Sequence, residues 1–513
     1  MTPEIDTLLA QLGGLDFNRL LDLGPGHLTL PVVLPLLAAF LVLPLSRVAG
    51  PLARLLGPLT LAASAWILVR LWMGLGDAPI AVGIGGFAAP LGIVFYADRL
   101  ALLFALAVPV LGLLFWPGIG DRGDGERAAR RDALTLLLIA SSTGLALTGD
   151  LFNIFVFYEL AAVASYGLAA LTGTPRAQVA TLRYLLIGSL GSVLALVGIT
   201  IVYLETGTLN LAHLAELAPQ TLQGPLGLGA FVLMLIGFGV KAELFPLNSW
   251  VPEVYATAPA RVSALLAGLV SKLAVLVLVR LLVLVFHQPE TSQILLILGI
   301  LGMLAAELSA WRAKDFPRMI AFSSAGQLGV VFVAFAIDGE LGVMAGLAVA
   351  LHHLIVKSAL FGLSSGWSGS LDGLAGAARR APIACGLFVL FALSLIGVPP
   401  LPGFWTKVLV LIGLAKGGSP LELLALAALL ITTALESSYL FRVAVRLFER
   451  TDSAPKSPGL WDTGVVAVLG AALLAIAVAI APTADWLRDL AHQASDRAAY
   501  IETVFPQTVA RED

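Results

Sequence analysis

Seven side chains in this sequence could exchange protons from places where charge is not expected. Glu159, Lys241, Lys272, His352, His353, Lys357 and Lys407 each lie inside an apolar stretch, and most are too far from its ends to reach polar headgroups by extending along a helix. A lysine or glutamate at the centre of a bilayer costs about 2.5 to 3.5 kcal/mol on insertion scales, so a set of them demands a purpose. Loss of water disfavours the ionised form of both types, and an opposite charge nearby favours it again. A glutamate and a lysine whose separation changes therefore make a proton switch. We expect Glu159 to pair with Lys241, and Lys272, His353 and Lys357 to carry protons sideways toward Lys407. Histidine suits a relay because it titrates near pH ~6.5 and has two ring nitrogens. Helical neighbours point about 100° apart, so one of His352 and His353 is expected to face the path, and the sequence leaves open which.

Other charges read differently. Arg280 is expected to snorkel from a helix end, Asp150 to cap a helix, and Glu436 to be either a structural partner or a member of the path. No metal or cofactor site is expected: there is no HExxH, no GxxxxGK[ST] and no GxGxxG, and adjacent histidines do not share a helical face. The lone Cys385 offers no disulfide, no CxxC pair and no iron–sulfur ligation, so redox chemistry would need another protein.

The elements that hold these residues are long and apolar. Of 513 residues, 59% are hydrophobic and only 12% charged, against about 25% charged in soluble domains, which makes the chain a polytopic membrane protein. A net charge of −3 with scattered basic residues gives no footprint for nucleic acid. Apolar runs occur at about 28–46, 53–74, 92–117, 133–149, 151–172, 184–205, 226–245, 261–286, 292–310, 319–337, 340–366, 383–415, 420–446 and 460–482, fourteen in all. They are Leu/Ala-rich and about 20 residues long, so an all-α bundle is expected rather than a barrel of alternating strands. Arginine and lysine gather in the loops after odd-numbered runs, including Arg47, Arg54, Arg122, Arg127, Arg130, Arg131, Arg312, Lys314 and Arg318. By the positive-inside rule these loops are cytoplasmic, and both termini face outward. The first 26 residues show no cleavable signal.

Two runs are broken in similar ways. Gly237-Phe-Gly-Val-Lys241-Ala-Glu-Leu-Phe-Pro246 interrupts the seventh, and Gly397-Val-Pro-Pro400-Leu-Pro402-Gly403-Phe-Trp-Thr-Lys407 interrupts the twelfth. Discontinuous helices at matching places in two halves are a sign of an inverted repeat with an ion site near the midplane. The expected divisions are 1–130 for the first three helices, 131–290 and 291–450 for two halves, and 451–513 for the last helix and tail. The GxxxG pairs Gly342/Gly346 and Gly362/Gly366 are expected to mark close helix packing.

Several motifs occur in an order that resembles a known family. Gly149-Asp-Leu-Phe-Asn-Ile-Phe-Val-Phe-Tyr-Glu159, Lys241 with Phe245-Pro-Leu-Asn-Ser-Trp-Val-Pro252, Ala258-Pro-Ala-Arg-Val-Ser-Ala-Leu-Leu266 before Lys272, and Pro399-Pro-Leu-Pro-Gly-Phe404 before Lys407 look like the antiporter-like subunits of complex I and of Mrp-type cation/proton antiporters. The resemblance covers about residues 95 to 450 and implies fourteen helices, two inverted five-helix repeats (helices 4 to 8 and 9 to 13) and a proton path along a central polar axis. It implies that Glu159 and Lys241 form the coupling pair, that Lys272 is the central relay, that Lys357 and one of the two histidines continue it, and that Lys407 is the terminal exchange site. Within the family, the aromatic stretch before Glu159 and a lysine at 407 favour the D-type chain of the Mrp Na⁺/H⁺ antiporter.

The leading expectation is therefore a proton-translocating subunit of a multi-subunit antiporter in the cell membrane, working with other hydrophobic subunits on protons and a monovalent cation. The alternative is a non-redox, proton-pumping subunit of a complex I-like oxidoreductase or membrane-bound hydrogenase. A quinone-reducing enzyme in its own right lacks any cofactor ligand, and a free-standing transporter is the remaining class.

Overall fold

The computed structural model describes residues 24–76, 78–119, 125–451 and 455–506. Arg122 and the two ends of the chain, on which part of the loop-charge reading and of the outermost divisions rests, lie outside them. In chain order the helices are α1 Leu30–Val48, α2 Gly50–Gly74, α3 Arg99–Leu114, α4 Gly125–Leu147, α5 Leu151–Ala169, α6 Pro175–Thr206, α7 Leu211–Thr221, α8 Pro225–Gly239, α9 Val251–Thr257 and α10 Ala260–Leu284. They continue with α11 Pro289–Arg312, α12 Phe316–Phe335, α13 Gly339–Leu363, α14 Pro382–Ile396, α15 Pro402–Gly417, α16 Pro420–Phe448, α17 Leu460–Val478, α18 Ile480–Ser495 and α19 Arg497–Val504.

Among the described residues, ten helices are long and apolar enough to cross a membrane, or eleven if the bent pair Leu371–Arg379 and Pro382–Ile396 is one span. The other apolar runs also hold helices, but α3 and α8 are short, α14 and α15 are the separate pieces of one broken run, and α4 carries Arg130, Arg131 and Asp132 in its second turn. The all-α expectation needs one correction. The start of the third run is not helical: β2 (Val94–Ala97) pairs antiparallel with β1 (Ile80–Gly83) in a two-stranded ribbon. Its Val-Phe-Tyr sequence is β-branched and aromatic, and Asp98 then caps α3 by accepting from the Ala101 amide at 2.7 Å. Asp150 caps α5 in the same way, accepting from the Asn153 amide at 2.8 Å as expected.

The helices form a centre and a wrap. The most apolar stretch of α10 is 100% buried, that of α12 89% and that of α13 83%, while α1, α2 and α17 each bury 33%. Lipid is as apolar as leucine, so hydrophobicity alone cannot sort helices inside a membrane; close backbone packing and polar contacts must. Gly329 of α12 faces α11, where a Cβ would come within 2.6 Å of the Met303 amide nitrogen. Gly237 near the end of α8 lies against α6, where a Cβ would meet the Gly191 carbonyl oxygen at 2.6 Å. Gly346 has the Phe335 ring against it, so that GxxxG position does mark close packing.

Arg280 does not snorkel. It is 8% exposed, on α10, and its Nη2 donates to both carboxylate oxygens of Asp98 at 2.7 and 2.6 Å. The guanidinium lies 5.7 and 5.6 Å from the rings of Tyr96 and Tyr500, so one ion pair ties β2, α10 and α19 together. The sequence placed Arg280 near a helix end correctly but gave no sign of the acid 182 residues earlier that receives it. Removing one partner of a buried pair strands the other charge, at about 3–5 kcal/mol. Arg280→Gln is therefore expected to lower the thermal midpoint of the detergent-purified protein and its abundance in the membrane. An unchanged melting curve would show the pair to be dispensable.

Candidate functional site

The first group of candidate residues sits where α5 meets the end of α8. Glu159 is half-buried, and the Ser192 hydroxyl of α6 donates to its Oε1. Lys241 is 3% exposed and lies in the non-helical link after α8, with Nζ 3.5 Å from the centroid of the Tyr158 ring. Tyr158 is fixed in turn by donating to the Gly237 carbonyl at 2.9 Å. Glu159 is the acid whose field reaches Lys241. The two do not close to an ion pair within 4.0 Å, however, and the lysine is held by the aromatic face instead. The expected ion pair is thus not formed, although the two residues are neighbours.

The link itself, residues 240–246, is closed by Leu244 N donating to Gly239 O at 2.9 Å, and Trp250 Nε1 donates to the freed Val240 carbonyl at 3.1 Å. Trp250 is stacked on Tyr184 of α6 with ring centroids 3.8 Å apart. The chain resumes in a short helical turn, Leu247–Trp250, and then α9. The break foreseen in the seventh run is therefore real, and it is braced by side chains.

The second group lies between the three central helices. Lys272 is fully buried and follows a π-helical turn, Leu266–Val270, within α10. Such a turn frees backbone carbonyls, and Lys272 Nζ donates to that of Ala267 as well as to Ser271 Oγ at 3.0 Å. Lys357 of α13, also fully buried, donates to Ser323 Oγ at 2.6 Å. His353 Nε2 lies 3.1 Å from the Ser324 carbonyl oxygen, so it must be the protonated nitrogen, and buried Nδ1 is left without a partner. His352 turns the other way. Its Nε2 is 2.8 Å from Ser394 Oγ of α14, and its ring borders an apolar cavity of about 330 Å³ lined by Trp405 and Trp486 among others.

The third group is at the second break, where α14 ends at Ile396 and α15 starts at Pro402. Lys407 is 8% exposed, and its Nζ donates to Glu436 Oε2 at 2.8 Å and to Thr433 Oγ1 at 3.1 Å, both on α16. Gln327 of α12 donates to the other oxygen of Glu436 at 2.8 Å. Beside it, Glu307 of α11 accepts from Tyr439 at 2.9 Å, and its Oε1 has no partner. Lys357 lies within the fields of Glu243, Glu307 and Glu436.

Sequence reading thus found the lysines and histidines but missed two buried acids. Glu307 lies in the ninth run between Leu304-Ala-Ala and Leu308, one turn from the end of that run. Glu243 stands in the first break, two residues after Lys241, with Tyr255 donating to its Oε1 at 2.8 Å. Glu436, left open between two roles, is the partner of Lys407. Together these groups give four lysines and four glutamates on facing helices and the link after α8, in contact with serine, threonine and tyrosine hydroxyls. Such a mixture of acids, bases and hydroxyls can pass protons without leaving a large net charge in the apolar interior.

Comparison with known proteins places the chain in a family. Residues 148–434 match the family described as NADH:quinone oxidoreductase/Mrp antiporter, TM. The chain is 33% identical over 427 residues to the N subunit of the NADH-quinone oxidoreductase of Desulforudis audaxviator, covering 80% of this chain and 84% of the relative. It is 31% identical over 439 residues to the D subunit of the Na(+)/H(+) antiporter of Alkalihalophilus pseudofirmus, covering 83% and 88%. Among solved structures, a chain of the membrane-bound sulfane sulfur reductase, an archaeal respiratory membrane complex, superposes with a TM-score of 0.87 at 29% identity, over 93% of this chain and 99% of that one. The matched residues run from the cap of α5 to the helix that carries Glu436, and the chain belongs to the NADH:quinone oxidoreductase/Mrp antiporter family of membrane subunits.

Proposed function

We propose that this chain is the proton-translocating subunit of a multi-subunit monovalent cation/proton antiporter, Na⁺ being the cation for which its antiporter relatives are named. The observation that carries the reading is the buried row itself. Lys241, Lys272, Lys357 and Lys407 stand with Glu243, Glu307, Glu436, His352 and His353 in the interior, beside half-buried Glu159, on the link after α8 and on helices between α5 and α16. In this reading Glu159 and Lys241 are the switch, opened here and closed in another state. Lys272, His353 and Lys357 are the relay, and Lys407 with Glu436 is the exchange end. His352, against an apolar cavity, serves as a branch or a packing residue, so His353 takes the relay place.

The same reading takes all fourteen apolar runs as crossings, with α8 and α9 as one broken helix, α14 and α15 as another, and inverted halves at 131–290 and 291–450. Both termini then face outward, and the chain sits in the cell membrane among other hydrophobic subunits. A specific observation also favours the complex I-like alternative: the 33% identity to an NADH-quinone oxidoreductase chain. The two readings separate on purification. Iron–sulfur or flavin absorbance travelling with the assembly supports the oxidoreductase, and small hydrophobic partners alone support the antiporter.

Everted vesicles carrying the intact assembly, loaded with a proton gradient and given Na⁺, K⁺ or Li⁺ in turn, test the main reading. Glu159→Ala and Lys241→Ala are each expected to reduce cation-dependent proton movement at least roughly tenfold while the chain stays in the membrane. Wild-type rates in either variant would remove that residue from the mechanism. Lys407→Ala strands Glu436 in the interior and is expected to lose both transport and stability, by about 3–5 kcal/mol. Lys407→Glu sets two acids together and is expected to fail as well. The exchange Lys407→Glu with Glu436→Lys is expected to recover part of both, and no recovery would mean that the pair acts through more than its charges.

A further inference from the structure

We propose that Glu243 is itself a proton-carrying residue, the step between Lys241 and Lys272; the proposal rests on the proton-translocating reading above and deepens it. The backbone gives the first reason. Among the described residues Glu243 is the only non-glycine residue with left-handed geometry, at φ 57°. A Cβ crowds the chain in that region, so on backbone grounds the position would hold glycine, and an acid there is kept for its side chain. The carboxyl gives the second. It is 1% exposed, Oε1 accepts from Tyr255 at 2.8 Å, and Oε2 has no partner. One carboxylate oxygen is thus held, while the other stays open to a further donor.

Its surroundings give the third. Glu243 is the acid whose field reaches Lys272, as Glu159 is for Lys241. Lys357 acts on it too, and Ser324, which approaches the same carboxyl, has its hydroxyl 3.4 Å from His353 Nε2. Lys241 lies only two residues back, over the Tyr158 ring. The short link after α8 thus turns one charge toward α5 and the other toward α10 and α13. A proton leaving the Lys241 ammonium passes through water to the Glu243 carboxylate, giving a neutral amine and a neutral carboxyl. The carboxyl then releases it to a neutral Lys272 amine, which restores the carboxylate and leaves an ammonium.

The test uses the intact assembly in everted vesicles with wild type, Glu243→Gln, Glu243→Asp and Glu243→Gly side by side. Glu243→Gln keeps the shape and the acceptor for Tyr255 but cannot titrate, and a loss of at least roughly tenfold in proton movement is expected. Glu243→Asp is expected to keep a measurable share. Glu243→Gly relieves the backbone, so it is expected to melt no lower than wild type and still to lose transport. A bracing role predicts the opposite order, an active glutamine variant and a destabilised glycine variant. Transport within about twofold of wild type in Glu243→Gln, or in Glu243→Gly should the glutamine variant fail to accumulate, overturns the proposal while leaving the wider reading intact. A silent wild-type assembly overturns both.

Discussion

The structure depends on one constraint: a charge placed in an apolar bundle must find a partner or a bond inside it, since neither lipid nor bulk water is available to solvate it. Each lysine of the row meets this demand differently. Lys241 rests on an aromatic face, Lys272 takes a carbonyl exposed by the π turn, Lys357 takes a serine hydroxyl, and Lys407 takes a carboxylate. Only the last is a direct ion pair. The other three are held by neutral groups, which satisfy the ammonium without locking its proton in place, and a group held that way can still give the proton up.

The irregular backbone follows from the same demand. The link after α8, the π turn in α10 and the break before α15 each put a buried lysine next to departures from regular helix; the π turn is wholly enclosed, while the two breaks expose Pro246 and Pro399–Pro400. Backbone groups released from a helix are tolerable at membrane depth only where protein or water takes them up. Trp250 does so for Val240, Lys272 for Ala267 and Lys407, at 3.4 Å, for Ile396. Two of these three are side chains of the row, so the polar groups that interrupt the helices and the charges that occupy the gaps stabilise each other.

What the sequence could and could not reveal follows from how local each signal is. Helix positions and the two breaks are written in runs of neighbouring residues, and they were legible. So was the burial of Lys272, because a lysine deep inside an apolar run must face protein or water rather than lipid. Pairings between distant segments were not legible. Asp98 with Arg280 and Lys407 with Glu436 depend on which helices pack together, and nothing in either neighbourhood names the other. The ribbon of β1 and β2 escaped because four residues of β2 were merged with the apolar helix that follows them. Glu307 escaped for a lesser reason: the signal was present, one turn from the end of its run, where an acid passes for an ordinary interfacial charge.

Arginine and lysine occupy different places in this interior. Arginine stays protonated at any accessible pH and offers a rigid fork, so a buried arginine can clamp a carboxylate but cannot hand a proton on. Arg280 with Asp98 is of this kind, and the partly buried pairs Arg261 with Asp462 and Arg318 with Glu253 likewise join segments far apart in the chain. The row, by contrast, contains only lysine, histidine and glutamate. If the buried charges served merely to fix helix positions, arginine would serve as well or better at Lys272 and Lys357. The use of lysine at all four lysine and arginine positions of the row, beside arginine at these ion pairs, agrees with the proposed proton path.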